Sequence, residues 1–244
     1  MNITYQTVEP HGGYRELLKD RSGFQRVFNS WLVNEPALRG RVLDIGCGGN
    51  IPPFLPAIRE IPQQLDGVDP DPIVNLHPSL TTRWHGRFED AAIPVNQYDL
   101  AYAYNVVEHI PTPSAFLEKV WQVLRPGGVF WALTPNAAHP FAWLARGIEQ
   151  IGGKRGMREL LKKPDHGYTV NNYPSYYRLN CPGQVRRALA LTPPFRDAAF
   201  SWYPCMQWDT YFPWSLRGLP HLYDFSIGIR VRPWMQIFAF RLTK

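Results

Sequence analysis

Cysteine is scarce in this chain, and its few cysteines form no recognisable pattern. Only three are present among 244 residues, Cys47, Cys181 and Cys205, and none belongs to a CxxC or Cys/His metal spacing. An odd, scattered set argues against the disulfide scaffold that holds small secreted domains together. We therefore expect a reducing, cytoplasmic compartment and a fold that depends on its own hydrophobic core.

The sequence also predicts neither a targeting segment nor a membrane-spanning helix. The first residues have no basic start followed by an apolar core, so no signal peptide is expected. The longest charge-free stretch, residues 126–145, is long enough to span a bilayer, but it contains three prolines and two glycines. Because such residues break a helix, we reject it as a membrane span.

The charge that is present is unevenly distributed. Residues 1–150 carry a net charge of −3, whereas residues 151–244 carry +9 and half of the 34 aromatic side chains. The hydrophobic fraction of 45% is that of a globular protein, and the 24 prolines predict many loops. The length fits one domain, whose two parts we expect to have different tasks.

Short apolar runs alternate with helical patterns along the chain. Strands are predicted at residues 42–45, 64–68, 81–85, 98–105, 129–133, 195–203 and 234–242. An amphipathic helix is predicted at residues 113–124, ended by the Arg-Pro-Gly-Gly segment that follows it. The alternation predicts a largely parallel α/β sheet. Sheets of this kind bind ligands beyond the carboxyl ends of their strands.

A glycine-rich turn follows the first of these strands, in the sequence VLDIGCGG. Gly46 and Gly48 allow a ligand to approach the backbone closely, but Ile51 stands where a dinucleotide fingerprint needs its third glycine. S-adenosylmethionine suits the segment better, because Asp44 can bind its amino group and Asp69, one βαβ step later, its two ribose hydroxyls. The alternative is a bare strand-to-helix turn capped by Asp44.

Five consecutive motifs resemble those of the class I S-adenosylmethionine-dependent methyltransferases. They are VLDIGCGG, GVDPDP, RFEDAAIP, QYDLAYAYNVVEHI and VLRPGGVFWALTPN, in order over residues 40–136. The resemblance implies a Rossmann-like, seven-stranded, mostly parallel sheet with an antiparallel last strand at residues 234–242. It also implies helices on both faces and a lid insertion after the fifth strand.

The resemblance also implies the residues that bind the cofactor. Those that would contact the methionine part, the ribose, the adenine and the sulfur are Asp44, Gly46, Cys47, Gly48, Asp69, Pro70, Phe88, Glu89, Asn105 and Val106. One position departs from the family, since Arg87 stands where many relatives have an aspartate in the adenine loop. Either Glu89 or Asp90 takes its place, or the backbone and stacking hold the adenine. Phe88 has core packing as an equal alternative.

Methyl transfer from a sulfonium needs placement and desolvation more than a particular side chain. The candidates for catalysis are His166, His109 and Tyr177. For His166 the interpretations are a general base or a loop histidine in solvent. For Tyr177 they are a contact with the substrate or packing within a lid. For His109 a structural role is favoured over a catalytic one. In quinone-type enzymes a Glu-x-x-Glu-His run has been linked to a metal, but Asn105 replaces its first carboxylate here, so no metal is expected.

We divide the chain into a helical cap at residues 1–39, a cofactor-binding core at 40–136, a lid at 137–194 and C-terminal strands with an aromatic insertion at 195–244. The leading function is methyl transfer to a small-molecule acceptor, at oxygen. The alternatives are a lipid-linked or saccharide acceptor at a membrane surface, methylation of an RNA, and a non-catalytic module that binds the cofactor. A partner nucleic acid is not expected, peripheral membrane contact stays possible, and the oligomeric state is open.

Overall fold

The computed structural model describes residues 3–7, 23–140, 142–143, 173–203, 222 and 231–244. The strands are β1 (Thr4–Thr7), β2 (Arg41–Ile45), β3 (Gln64–Asp69), β4 (Thr82–His85), β5 (Tyr98–Tyr104), β6 (Leu124–Pro135), β7 (Asp197–Tyr203) and β8 (Ile237–Thr243). The α-helices are α1 (Gly23–Asn34), α2 (Pro56–Glu60), α3 (Pro113–Val123) and α4 (Pro182–Leu189). Single 3₁₀ turns lie at Pro36–Arg39, Pro72–Leu76, Val107–His109 and Arg232–Trp234.

All eight strands belong to one sheet, in the order β1-β7-β8-β6-β5-β2-β3-β4. β8 runs antiparallel to both of its neighbours, β6 and β7, and every other pair in the sheet is parallel. The predicted architecture is thereby confirmed, including the antiparallel last strand.

The sheet has one strand more than predicted. The extra strand is β1, which pairs in parallel with β7 at the edge of the sheet, Thr4 opposite Asp197 and Thr7 opposite Phe200. All four of its residues are exposed, so it has no buried face that a hydrophobic pattern could reveal. Strand β1 forms through backbone pairing with β7, which is distant in sequence, and a local sequence pattern does not indicate such pairing.

The helices lie on both faces of the sheet, as predicted. Adjacent residues of a strand point to opposite faces. In β6, Trp131 packs against Trp31 of α1, with ring centroids 4.9 Å apart. Its neighbour Phe130 packs against Phe116 of α3 at 5.8 Å. Helices α1 and α3 therefore cover opposite faces, and the central strands between them are buried on both sides.

Strand β6 is longer than the sequence indicates. The Arg-Pro-Gly-Gly segment was expected to end helix α3, with the strand starting at residue 129. Instead β6 begins at Leu124, directly after the helix. The ladder with β5 shifts register near its start. Gly127 has a φ of 78°, and its amide donates to the Lys244 carbonyl at 3.1 Å. The glycine therefore forms an irregularity inside the strand and does not terminate the helix.

Among the residues that the structure describes, no helix is both long enough and apolar enough to cross a membrane. The division into cap, core, lid and C-terminal strands stays a prediction, because much of the lid and of the aromatic insertion lies outside the described residues. The basic residues Lys154, Arg155, Arg158, Lys162 and Lys163 also lie outside the described residues.

Candidate active site

A cavity of about 370 Å³ lies where β2, β3 and β5 end. Parallel strands bring their carboxyl ends to one edge of the sheet, so residues distant in sequence meet there. Seven of the ten residues predicted to bind a cofactor line this cavity: Gly46, Asp69, Pro70, Phe88, Glu89, Asn105 and Val106. The candidate base His109 lines it as well.

The glycine turn after β2 forms one wall of the cavity. Gly46 and Gly48 have φ values of 76° and 58°, a conformation that favours glycine. The amide of Gly46 donates to the carbonyl of Val68 in β3 at 2.8 Å. The turn is therefore held against the neighbouring strand, and its backbone is open to the cavity.

Asp69, at the end of β3, is tied to this turn through both carboxylate oxygens. Oδ2 accepts the amide of Gly48 and Oδ1 accepts the amide of Asp71, each at 2.8 Å. Burial raises the pKa of Asp69, and the two amide bonds oppose that shift. A carboxylate oxygen accepts more than one hydrogen bond, so a fixed Asp69 still has acceptor capacity for a diol in the cavity.

Asp44 lies behind the lining of the cavity and not in it. Its side chain is buried and accepts a hydrogen bond from the hydroxyl of Tyr102 in β5. Burial raises the pKa of Asp44 to about 7, the Tyr102 bond opposes this, and the charge of Asp69 adds to it. Two carboxylates thus share one end of the site, which makes it attractive to a cation.

Cys47 and Gly48 also stand behind the lining. A Cβ added to Gly67 of β3 would lie 2.8 Å from the Cys47 sulfur, so this side chain packs beneath the turn. Burial and the charges of Asp44 and Asp69 raise the pKa of the Cys47 thiol. Cys47 is therefore a neutral packing residue, and Gly48 serves through its amide.

The loop after β4 lines the cavity as well, and it holds one unusual acceptor. Phe88 packs edge-on against Phe116 of α3, with centroids 5.3 Å apart. Glu89 Oε1 is buried and has no hydrogen-bond partner among the described residues, although the Arg87 guanidinium lies 3.7 Å away. A buried acceptor without a donor fits an exocyclic amino group in the cavity.

Residues 173–176 also line the cavity, and sequence reasoning placed them only in part. Tyr173, Pro174 and Tyr176 line the cavity. The amide of Tyr176 donates to the Glu108 carbonyl at 2.7 Å, which fastens the segment to the turn after β5. The tyrosine-rich composition was the available signal, but it does not say which tyrosines face inward. The lining residues outside the predicted set also include Tyr104, Arg87, Ile110 and Pro111.

The described part of the structure does not place the other two catalytic candidates, Tyr177 and His166, at the cavity. Tyr177 has a φ of 53°, and its amide donates to the Glu108 carbonyl at 3.0 Å, but the residue does not line the cavity. His166 lies outside the described residues.

A metal-binding group is not found in the part of the chain that the structure describes, where no three His, Cys, Asp or Glu side chains converge. Asn105 is exposed with a φ of 54°. The side chain of Glu108 is buried, and its Oε2 accepts from Thr134 Oγ1 at 2.9 Å.

Comparison with known protein families gives one family match. The model described as "Methyltransferase domain" matches residues 19–175. A probable S-adenosylmethionine-dependent methyltransferase of Mycolicibacterium smegmatis is 32% identical over 100 residues, 39% of this chain and 38% of that protein. A ubiquinone biosynthesis O-methyltransferase of Pseudomonas savastanoi is 30% identical over 149 residues, 57% of this chain and 61% of that protein. The chain thus spans roughly 40 to 60% of the length of these relatives.

Solved structures share the fold at lower identity. A S-adenosylmethionine-dependent methyltransferase from Archaeoglobus fulgidus superimposes with a TM-score of 0.54 and 17% identity, over 95% of this chain and 99% of that one. A geranyl diphosphate methyltransferase in complex with GPP and sinefungin gives a TM-score of 0.53 and 10% identity, over 88% of this chain and 77% of that one. At these identities the similarity shows the fold alone.

Proposed function

Because the chain belongs to the methyltransferase-domain family, we propose that it transfers the methyl group of S-adenosylmethionine to an oxygen of a small-molecule acceptor. The observation that carries the proposal is a single cavity with two unlike walls. One wall holds the glycine turn and Asp69, and the other holds His109 and two tyrosines. A cofactor and an acceptor bound against these walls would face each other.

The residues on the first wall fit S-adenosylmethionine. Asp69 has acceptor capacity for the ribose hydroxyls, and Oε1 of Glu89, which accepts no hydrogen bond from the described residues, fits the adenine amino group. Asp44 and Asp69 supply negative charge for the amino group, Asp44 from behind the lining of the cavity. When bound, the cofactor supplies an activated methyl group on a good leaving group.

The second wall favours a planar acceptor. Tyr173, Tyr176 and Tyr104 offer aromatic faces, and Ile110 and Pro111 offer apolar surface. Small-molecule sites are largely apolar with a few polar groups that fix orientation. A phenolic hydroxyl placed beside His109 fits this description, and the ubiquinone biosynthesis O-methyltransferases among the relatives support oxygen as the acceptor atom.

The lid at residues 137–194 belongs to the same proposal, with His166 contacting the acceptor and Tyr177, which does not line the cavity, packing within the lid. The bonds from the amides of Tyr176 and Tyr177 to Glu108 support a segment that covers the cavity beside the cofactor. A closed lid would exclude water and hold the acceptor in line with the methyl group. Replacement of His166 by alanine should then lower turnover without changing cofactor affinity.

The test is a methyl-transfer assay with matched acceptors. Catechol and 1,2-phenylenediamine have the same shape but present oxygen and nitrogen. We expect labelled methyl to reach catechol from S-adenosylmethionine and the diamine to receive at least tenfold less. Transfer to the diamine alone would overturn the assignment of oxygen. Transfer to neither, with S-adenosylhomocysteine still binding in calorimetry, would overturn the proposed acceptor class.

A further inference from the structure

His109 is held by the segment that lines the acceptor wall, and the atoms involved decide which ring nitrogen carries the proton. We propose that His109 is the general base of the reaction, with the backbone carbonyl of Pro174 fixing the tautomer that can accept the acceptor's proton. This inference rests on the proposed function and assigns its proton transfer to one atom, Nε2.

The tautomer follows from the partners of Nδ1. This nitrogen lies 3.1 Å from the carbonyl oxygen of Pro174, which has no hydrogen to donate. Nδ1 must therefore carry the proton and donate it. Ser175 Oγ, 3.4 Å from the same nitrogen, is then a second, weaker acceptor. Since a neutral imidazole has only one N–H, Nε2 holds the free lone pair.

The position of the ring makes that lone pair useful. His109 lines the same cavity as Asp69 and the glycine turn. Among the described residues, no group makes a hydrogen bond to Nε2, whereas both bonds of the ring go to Nδ1. A histidine that only held the loop would use Nδ1 alone, and its Nε2 in the cavity would have no role.

Several titratable or charged side chains surround the His109 ring. They include Glu108, Tyr173, Tyr176 and Arg178. Glu108 is buried next to His109, and the charges of the two residues interact. Thr134 and Asn180 keep the Glu108 side chain in place, with Thr134 donating to it at 2.9 Å and Asn180 donating to Thr134 at 2.6 Å.

The proposed step is balanced in atoms and charge. The acceptor oxygen forms a bond to the methyl carbon, and the carbon–sulfur bond breaks with both electrons going to sulfur. The hydroxyl proton moves to Nε2, which leaves His109 as an imidazolium that donates to Pro174 and returns the proton to solvent. The products are the methyl ether and S-adenosylhomocysteine.

Two variants separate catalysis from positioning. Asparagine at 109 carries an amide near the place of Nδ1, so His109→Asn keeps a donor for Pro174 but has no base. His109→Ala removes both. If His109 is the base, both variants lose about 100-fold or more in turnover of catechol, the usual range for a general base. S-adenosylhomocysteine affinity, measured by calorimetry, should stay within threefold of that of the unmodified protein. If His109→Asn retains turnover, the ring only holds the loop and the proposal is wrong.

The acidity of the acceptor gives a second test. 4-Nitrocatechol is largely ionised near neutral pH and needs no base, whereas catechol does. We expect the loss of turnover caused by His109→Asn to be at least tenfold smaller with 4-nitrocatechol than with catechol. An equal loss with both acceptors would mean that the variant misplaces the substrate. If the unmodified protein methylates neither compound, the proposed function fails before this question arises.

The tautomer itself can be measured without any acceptor. Nitrogen NMR of histidine-labelled protein distinguishes a protonated ring nitrogen from an unprotonated one, and the signals lost in His109→Asn identify the residue. At a pH where the ring is neutral, the proton should reside on Nδ1. A proton on Nε2 would remove its lone pair and overturn the proposal, whatever the turnover of the variants.

Discussion

Gly46 lies so close to Val106 that the two residues leave no room for a Cβ between them. A Cβ built on Gly46 would overlap a methyl group of Val106, and the φ of Gly46 is 76°. The turn after β2 and the loop after β5 are therefore packed against each other at the edge of the cavity. Glycine is required at position 46 for both its conformation and its size.

This contact predicts different outcomes for two neighbouring glycines. Both have left-handed backbones, but a Cβ on Gly48 would meet nothing within 4 Å. Gly48→Ala should cost only the backbone strain, about 1–2 kcal/mol of unfolding free energy. Gly46→Ala should cost more and should also weaken binding of S-adenosylhomocysteine, because Val106 must move into the cavity. Urea unfolding and calorimetry measure the two effects.

A second substitution checks the cause. In the Gly46→Ala background, Val106→Ala removes the overlapping methyl groups and should restore part of the lost ligand affinity. Equal unfolding free energies for Gly46→Ala and Gly48→Ala would mean that moving the Val106 side chain costs no free energy.

The role of Asp69 predicts a loss of cofactor binding. Asp69→Ala removes the shared acceptor of the ribose hydroxyls and also releases the amide of Gly48. Hydrogen bonds to a charged group contribute about 1.5–3 kcal/mol, so affinity for S-adenosylhomocysteine should fall by roughly 10- to 100-fold in calorimetry. Glu118→Gln, an exposed carboxylate on helix α3, is the control and should bind normally. Unchanged affinity in a folded Asp69→Ala protein would remove this residue from the site.

The raised pKa of Asp44 predicts a pH dependence of stability. The folded protein holds this proton up to about pH 7, whereas the unfolded chain releases it near pH 4. The folded state therefore binds more protons between these values, and the contribution of Asp44 to stability decreases as the pH rises through this window. Asp44→Asn should lose this contribution, so its Tm should decrease less than that of the unmodified protein between pH 5 and 8.

Ligand binding should show the opposite trend. A cationic amino group binds better to ionised Asp44, so affinity for S-adenosylhomocysteine should rise as the pH increases through about 7. Asp44→Asn should bind more weakly and with a flatter profile. If Asp44→Asn and the unmodified protein show the same pH profile of affinity in calorimetry, Asp44 does not interact with the charge of the ligand.

Chelation gives a further prediction. Asn105 takes the place of a carboxylate, and the Glu108 side chain is engaged by Thr134, which leaves too few oxygen ligands for magnesium at this turn. Methyl transfer should therefore survive exhaustive treatment with EDTA. Loss of turnover that magnesium restores would contradict this prediction.

Much of the fold was readable from sequence because the signals are local. The buried runs of β2 and β5, the amphipathic pattern of α3 and the alternation of strand with helix each arise within a few residues. The extra strand β1 was not readable, since its exposed residues gain their structure from pairing with β7. The early start of β6 was missed for a similar reason, because the irregularity at Gly127 is stabilised by the carbonyl of Lys244, which is distant in sequence.

The sequence by itself determined the cofactor end of the site, because Gly46 and Asp69 each follow a strand, and the carboxyl ends of parallel strands meet at one edge. Only the tertiary structure decided the acceptor end. Residues 173–176 are some seventy positions beyond the turn after β5, and no periodicity specifies which of their tyrosines face inward. The bond from Nδ1 of His109 to the carbonyl of Pro174 is a contact between backbone and side chain across that distance. Every residue has a backbone carbonyl, so the sequence does not indicate which one His109 will contact, and only the folded structure shows it.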